Sequence, residues 1–124
     1  MLPSQFDLSL WQGNTTPWQF VLQQSLGVPV DLTGSEIVAW FKWSGGEFRL
    51  STLTGNTGPF PPNDTSLIDV PTPTNGTVNL TLSAGATRAI VGTAQWELER
   101  RIGGNQYSYL YGNVKPTRWL NDDV

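Results

Sequence analysis

Acidic residues are the main side chains that could perform catalysis here, because this 124-residue chain contains neither histidine nor cysteine. Without those two types, the chain lacks the commonest general base, the thiolate nucleophile and the commonest transition-metal ligands. Two carboxylates at close spacing can form an acid–base pair, and Glu97 and Glu99 are the nearest such pair. Both fall on the outer side of one predicted strand, beside Arg100 and Arg101. Surface ion pairs explain them better, and we predict no catalytic residues and no enzyme.

Two further groups of acidic residues also have simple structural explanations. The Asp31-Leu-Thr-Gly sequence is similar to the catalytic turn of aspartic proteases, but those enzymes need two such turns and this one joins two predicted strands. We expect Asp31 and Thr33 to cap that turn through their side-chain oxygens. Asp64 and Asp69 offer oxygen ligands for Ca²⁺, but the D-x-D-x-D-G spacing of a calcium loop is absent. We therefore expect no metal ion and no cofactor.

The aromatic residues are the unusual feature, since six tryptophans occur in a short chain. Trp18, Trp43 and Trp96 alternate onto the predicted inward faces of strands, where they would belong to the core. Other aromatic residues fall on predicted outward faces, between prolines or after the last strand. Since tryptophan and tyrosine are enriched at protein interfaces, these form our candidate interface: Trp11, Trp40, Phe60, Tyr107, Tyr109, Tyr111 and Trp119.

The strand predicted at residues 36–43 carries apolar bulk on both faces. Ile37, Ala39, Phe41 and Trp43 alternate with Val38, Trp40 and Lys42, although a strand lying on a core needs only one apolar face. The second face fits another protein chain, a second packing layer of the same chain, or a sugar stacked on exposed rings. We favour another protein chain, because charged residues make up only 14% of the sequence and interface cores are depleted of charge.

Charge and hydropathy exclude several other classes of partner. The net charge is −3 and the seven lysines and arginines are scattered, so we expect no binding to nucleic acid. No apolar run approaches the roughly 18 residues of a membrane span. The opening "MLPSQFDLSLW" lacks the basic and unbroken apolar regions of a signal peptide. We expect synthesis and folding in the cytoplasm, with no membrane partner.

Short alternating segments separated by turn residues predict an all-β protein of one domain, residues 1–124. We expect a β-sandwich of seven to eight mostly antiparallel strands over residues 6–115, with a C-terminal tail at 116–124. Hairpins are predicted at "SGG" and "RRIGGNQ", and one short helical turn after an N-cap at Ser83. The proline-rich segment 54–76 should hold one extended piece. The predicted strands cover residues 6–11, 18–23, 36–43, 47–53, 67–70, 77–82, 94–99 and 107–115.

The order of these turns and strands resembles a known family. The run "WQGNTTPWQFVLQQSLGVPVDLTGSEIVAWFKW" is similar to the start of the immunoglobulin-like N-terminal domain of phage baseplate upper proteins and related tail-fibre adaptors. The run "NGTVNLTLSAGATRAIVGTAQWELE" is similar to the later half of that domain, with Ala94 and Trp96 where the family often has tyrosine. The resemblance covers about residues 6–115. The positions that carry it are 13–16, Pro29, Asp31, Leu32, Thr33, Gly34, Gly76, Val78, Leu80, Leu82, Thr87, Gly92, Ala94, Trp96, Glu97, Leu98, Gly112 and Val114.

The resemblance implies an immunoglobulin-like fold and a structural function. It offers no catalytic residues. Family members usually continue into a stalk or receptor-binding region, and since this sequence stops at Val124 we expect an adaptor and not a whole receptor-binding fibre. The implied protein is a non-enzymatic adaptor or assembly subunit in the tail, baseplate or neck of a tailed-phage virion. Its partners would be other virion proteins and copies of itself. The alternatives are a carbohydrate-binding module that recognises a host-surface glycan, and a capsid decoration protein.

Overall fold

The computed structural model describes residues 3–58 and 64–117. Most of them form strands, and the one α-helix within these ranges, α1, covers Ala84–Ala89. A 3₁₀ turn covers Pro73–Asn75. The strands are β1 (Ser4–Gln5), β2 (Leu8–Trp11), β3 (Thr16–Val21), β4 (Gln23–Ser25), β5 (Val28–Pro29), β6 (Glu36–Trp43), β7 (Gly46–Ser51), β8 (Gly55–Thr57), β9 (Leu67–Asp69), β10 (Thr77–Leu82), β11 (Ala94–Ile102) and β12 (Asn105–Thr117).

Two sheets contain most of these strands. The large sheet has the order β1-β12-β11-β6-β7-β8, and β2 also pairs with β12. The small sheet has the order β3-β10-β9, while β4 and β5 form a separate hairpin. All pairings are antiparallel except those of β1 and β2 with β12. This is the arrangement of a variable-type immunoglobulin sandwich, in which two extra strands, here β7 and β8, extend one sheet.

The hydrophobic core lies between the two sheets. Phe20 of the small sheet stacks on Trp96 of the large sheet, with ring centroids 5.4 Å apart. Phe41 and Leu80 are completely buried in the same cluster. The alternation within β6, β10 and β11 directs every second side chain into this layer, so the sequence period of two is the direct cause of the sandwich.

The structure confirms the predicted all-β sandwich. Seven of the described strands contain four or more residues, and the others are two- or three-residue segments. Both hairpins occur at the predicted sequences. The first turns through Ser44 and Gly45, and the second places Gly103 and Gly104 at positive φ, as a type I′ turn requires. Ser83 caps α1 by accepting a hydrogen bond from the backbone N–H of Ala86 at 3.1 Å.

The first predicted strand differs from the structure. Instead of one strand from residue 6 to 11, two short strands pair with the same edge of β12, and exposed Phe6 lies between them. The backbone N–H of Phe6 donates to Tyr111 O at 2.8 Å, and the Trp96 indole donates to Phe6 O at 2.6 Å. A Cβ atom at Gly112 would collide with Phe6 O. Glycine therefore lets the Phe6 carbonyl approach β12 closely between the two pairings.

Candidate docking site

The outward side chains of the large sheet form its exposed face, which we call the large-sheet face. Residues that pair across strands point to the same side, so the registers place Trp40 beside Arg49 on β7 and beside Glu97 on β11. Tyr111 of β12 lies on the other side of Glu97. The face comprises Gln5, Ser9, Trp11, Glu36, Val38, Trp40, Lys42, Glu47, Arg49, Ser51, Thr57, Gln95, Glu97, Glu99, Arg101, Gln106, Ser108, Tyr111, Asn113, Lys115 and Thr117.

The chain itself covers part of this face. Val38 is completely buried although it points away from the core. The guanidinium carbons of Arg49 and Arg101 lie 5.3 Å and 5.9 Å from the centre of the Trp40 ring, within the range of cation–π contacts. Trp40 is half-buried, and its indole nitrogen is buried with no hydrogen-bond partner among the described residues. The second face of β6 therefore has a packing layer from the same chain at Val38 and Trp40.

Other aromatic side chains of the face remain open to solvent. Trp11 is 46% exposed and Tyr111 is 45% exposed. A depression of about 510 Å³ lies between Trp40 and Tyr111. Its lining includes Lys42, Gln95 and the carboxylates of Glu47, Glu97 and Glu99, in addition to Asn113. The large-sheet face thus combines exposed rings with a shallow site lined by mixed polar groups.

The three tyrosines of β12 do not share one face, contrary to the prediction from simple alternation. A β-bulge follows the pairing of Leu98 with Leu110, so that Glu99 pairs with Ser108 and Tyr109 is the extra residue. Tyr107 pairs with Arg100 and therefore points to the opposite side from Tyr111. Tyr109 is half-buried and packs against the core. Of the three, only Tyr111 belongs to the large-sheet face.

The acidic and basic residues near the bulge have structural partners. Arg101 forms an ion pair with Glu99 at 3.4 Å, as the sequence predicted. Glu97 instead accepts a hydrogen bond from the Ser108 hydroxyl at 2.5 Å. Arg100 donates to Ser35 Oγ at 2.8 Å and to the Asp31 carbonyl at 3.0 Å. These contacts fix side chains on the strands and assemble no acid–base pair.

The predicted capping of the Asp31 turn is confirmed. Asp31 Oδ1 accepts hydrogen bonds from the Thr33 hydroxyl at 2.6 Å and the Thr33 backbone N–H at 3.0 Å. These bonds, with help from the Arg100 charge, hold the pKa of the Asp31 carboxyl below its usual value. The turn connects the β4–β5 hairpin to β6, and its carboxylate has a structural task.

Asp7 carries out a similar task at the edge of the large-sheet face. Its carboxylate accepts a hydrogen bond from the backbone N–H of Asn113 at 3.0 Å and pairs with Lys115 at 3.4 Å. The backbone hydrogen bond is the main reason why the pKa of Asp7 lies below its usual value, and Lys115 adds to the effect. Asp7 thereby holds the segment between β1 and β2 against β12.

The remaining interface candidates and the possible calcium ligands add no residue to the large-sheet face and no metal site among the described residues. Phe60 and Trp119 lie outside the described residues. Asp64 accepts hydrogen bonds from the hydroxyl of the N-cap Ser83 and from the backbone N–H of Ser66. Within residues 3–58 and 64–117, no group of three or more acidic side chains is placed to hold a metal ion. In the same ranges, no helix has the length and apolar character needed to cross a membrane.

Arg49, Gln95 and Asn113 belong to the large-sheet face but were absent from the candidates chosen on the sequence. A signal for Arg49 did exist. The "SGG" hairpin pairs Trp43 with Gly46, and counting back along both strands brings Arg49 opposite Trp40. Gln95 and Asn113 pair across the second predicted hairpin, but the β-bulge shifts the register, so counting back from the turn would bring Gln95 opposite Gly112 instead. The pairing of Gln95 with Lys42 joins strands that are distant in sequence and had no local signal.

Comparison with known proteins gives no family for this chain. No protein-family model matches it, and no curated protein is similar enough to match. The resemblance to phage baseplate domains therefore stays a prediction from the sequence.

Proposed function

We propose that this chain is a non-enzymatic assembly subunit of a tailed-phage virion, which docks onto neighbouring virion proteins through the large-sheet face. The observation that carries the proposal is the placing of Trp11 and Tyr111, both nearly half exposed, on one face of a rigid sheet. Large aromatic side chains held on strands lose little conformational entropy on binding, and they are the commonest hot spots of protein interfaces.

The charges of the large-sheet face are compatible with docking. The strands place four basic and four acidic side chains on this face, namely Lys42, Arg49, Arg101, Lys115, Glu36, Glu47, Glu97 and Glu99. Lys42 lies directly opposite Glu47, and Arg101 is paired with Glu99. A partner therefore meets a surface with no net charge, and most of the cost of removing water falls on groups that already have neighbours of opposite sign.

The virion setting depends on the resemblance of the sequence to phage baseplate domains, and the sandwich fold is the one that the resemblance implies. Tail, baseplate and neck subunits act by binding, as the proposed docking face would. Copies of the same chain and capsid sites are further partners that the same face would accommodate.

Two tyrosines of nearly equal exposure allow a matched test of this face. Tyr111 is 45% exposed on the large-sheet face, and Tyr107 is 47% exposed on the opposite side of the same strand. We expect Tyr111→Ala to lower incorporation into purified particles by about 30-fold, which corresponds to about 2 kcal/mol for an interface hot spot. Tyr107→Ala should be incorporated like the natural chain.

Quantitative mass spectrometry of particles from an infected host would measure both variants, with circular dichroism to confirm that each is folded. The absence of the natural chain from purified particles would refute the virion setting. Equal incorporation of both variants would show that the large-sheet face is not the docking surface.

A second function, carbohydrate binding, is favoured by the depression between Trp40 and Tyr111. The side chains of Lys42, Gln95 and Asn113 line it and form no hydrogen bond with another described residue. Its volume lies within the range of about 300–1,000 Å³ that is usual for ligand sites. Because Arg49 and Arg101 already contact Trp40, Tyr111 is the ring that a sugar would stack on.

Titration with host-surface polysaccharide, followed by tryptophan fluorescence, tests this second function. Saturable binding by the natural chain that is lost in both Tyr111→Ala and Gln95→Ala, but kept in Tyr107→Ala, would establish a glycan site. No change in fluorescence at any polysaccharide concentration would leave protein docking as the function of this face.

A further inference from the structure

The small sheet has an open edge along β3. Within the described residues, β3 pairs with β10 on one side and with no strand on the other. Its outward residues, Pro17, Gln19 and Val21, are all exposed. An open edge presents unpaired backbone groups that another strand can bind.

The register shows which backbone groups face this edge. Leu22 donates its backbone N–H to Gly76 O at 2.8 Å, on the β10 side. Because the direction of backbone groups alternates along an antiparallel strand, Phe20 and Trp18 also point toward β10, whereas Gln19 and Val21 point toward the open edge. Pro17 takes the same direction but has no N–H to offer. The edge therefore presents two free donors, the backbone N–H groups of Gln19 and Val21.

The edge has little protection against pairing. Natural edge strands are usually guarded by lysine, by inward charges, by bulges or by extreme shortness. Strand β3 has six residues, no bulge and no charged residue. Beyond it, the outer surface of the small sheet is formed by threonine, asparagine, glutamine and apolar side chains, with Asp69 as its one charged residue. Pro17 guards one end only.

We infer that β3 pairs with β3 of a second copy of this chain, antiparallel and centred on Phe20. In this register Gln19 lies opposite Val21 of the partner copy, and Val21 lies opposite Gln19. Each of these two pairs exchanges two backbone hydrogen bonds. All the free donors of both copies are then used, and Pro17 of each copy lies beyond the last pair.

The match between this register and the edge is the reason for choosing a second copy as the occupant. A longer foreign strand would extend to Pro17 and lose a hydrogen bond there, because proline has no donor and its ring occupies the place of the hydrogen. Self-pairing uses only one hydrogen-bonded pair of residues, one residue from each copy, on each side of the symmetry axis. It joins two three-stranded sheets into one six-stranded sheet, and this inference stands independently of the large-sheet face.

Sedimentation equilibrium on the natural chain and two matched lysine variants tests the inference. Val21 on β3 is 54% exposed, and Leu67 on β9 is 56% exposed on the same surface at the opposite edge. We expect the weight-average mass of the natural chain and of Leu67→Lys to rise with concentration from 13.6 kDa toward twice that value. Val21→Lys should stay at 13.6 kDa.

Hydrogen exchange adds a measurement specific to the proposed pairs. At high concentration, the backbone amides of Gln19 and Val21 should exchange more slowly than at low concentration, and Gln19→Pro should abolish association while keeping a β-sheet circular dichroism spectrum. A natural chain that stays monomeric at all concentrations would overturn the inference. A dimer that is lost equally in Leu67→Lys, or that leaves the two amides unprotected, would also overturn it.

Discussion

At the scale of single residues, alternation predicts direction well but does not predict contacts. Trp43 and Trp96 are buried in the core, as the period of two requires. Trp40 points outward as predicted, yet Arg49 and Arg101 pack on its ring. The hairpin at residues 43–46 does bring Arg49 opposite Trp40. The contact of Arg101 depends on the pairing of distant strands and on side-chain conformation, and no local pattern in the sequence encodes it. The sequence therefore predicts which face of a strand a residue lies on more reliably than it predicts the residues that contact it.

Thr87 links the turn before β3 to helix α1, and we predict that its hydroxyl contributes strongly to the stability of the fold. The hydroxyl accepts a hydrogen bond from the backbone N–H of Gly13 at 3.1 Å and donates to Asn14 O at 2.9 Å, in a completely buried position. Thr87→Val keeps the shape but leaves the Gly13 N–H without its acceptor, so the free energy of unfolding should fall by about 1–3 kcal/mol.

Urea denaturation at neutral pH measures this loss. Thr81→Val is the matched control, because Thr81 lies on the outer surface of the small sheet and its hydroxyl has no described partner. Its effect should stay within about 0.5 kcal/mol. A Thr87→Val variant as stable as the natural chain would contradict the role of the hydroxyl.

The carboxylates of Asp7 and Asp31 make stability depend on acid pH. Their pKa values are lower in the folded chain than in the unfolded chain, because they accept hydrogen bonds from Asn113 and Thr33 respectively. The stability that they contribute is present above the unfolded value of about 3.9 and is lost as the pH falls through the folded values. The urea midpoint of the natural chain should therefore decrease below about pH 4.

Asp7→Asn and Asp31→Asn should each reduce that decrease, measured by urea denaturation between about pH 6 and about pH 2.5. Thr81→Val is the control, since it removes no carboxylate and should keep the natural pH dependence. The same acid dependence in all three variants would show that neither aspartate contributes.

At the scale of strands, hairpins were predictable and the bulge was not. Both hairpins are marked by short turns rich in glycine, and the turn at Gly103 and Gly104 needs positive φ at both central residues, which glycine adopts readily. The bulge at Tyr109 follows an unbroken run of strand-forming residues, "QYSYLYG", in which nothing marks an extra residue. A slip of one residue reverses the direction of every side chain beyond it. This is why the predicted outward direction was wrong for Tyr107 and correct for Tyr111.

The close approach of the Phe6 carbonyl to Gly112 predicts that one added methyl group will lower the stability of the fold strongly. In Gly112→Ala, the new Cβ would collide with Phe6 O, the acceptor of the Trp96 indole hydrogen bond. Relief requires the backbone to shift, and such overpacking costs about 1–3 kcal/mol. Thermal unfolding should show the loss, together with a change in the tryptophan fluorescence of the folded state.

Asn113→Ala is the neighbouring control, because its exposed side chain forms no described hydrogen bond and its backbone N–H still reaches Asp7. It should unfold at nearly the natural temperature. If Gly112→Ala also unfolded at nearly the natural temperature, the segment between β1 and β2 would be able to move away from β12 at little cost, which would contradict the prediction.

At the scale of the whole molecule, the sandwich followed from counting strands, but the partners of each strand did not. The extended piece predicted within segment 54–76 is confirmed as β9, although its place in the small sheet was not predicted, and neither was β8 with its pairing to β7. The parallel pairing of β1 and β2 with β12 joins the two ends of the chain. Such pairings link residues about a hundred positions apart, so local sequence carries no sign of them.

The two proposed surfaces belong to different sheets, and we predict that they act independently. The large-sheet face depends on Tyr111 of β12, whereas self-pairing depends on Val21 of β3. No contact joins these two residues within the described chain, so their effects should multiply in the double variant. Tyr111→Ala should still dimerise in sedimentation equilibrium, and Val21→Lys should keep its docking face. The double variant should be a folded monomer that is incorporated into particles less than either single variant, since pairing two docking faces also raises avidity. If Tyr111→Ala alone converts the natural dimer to a monomer, one contact serves both purposes, and the open edge of β3 has no part in assembly.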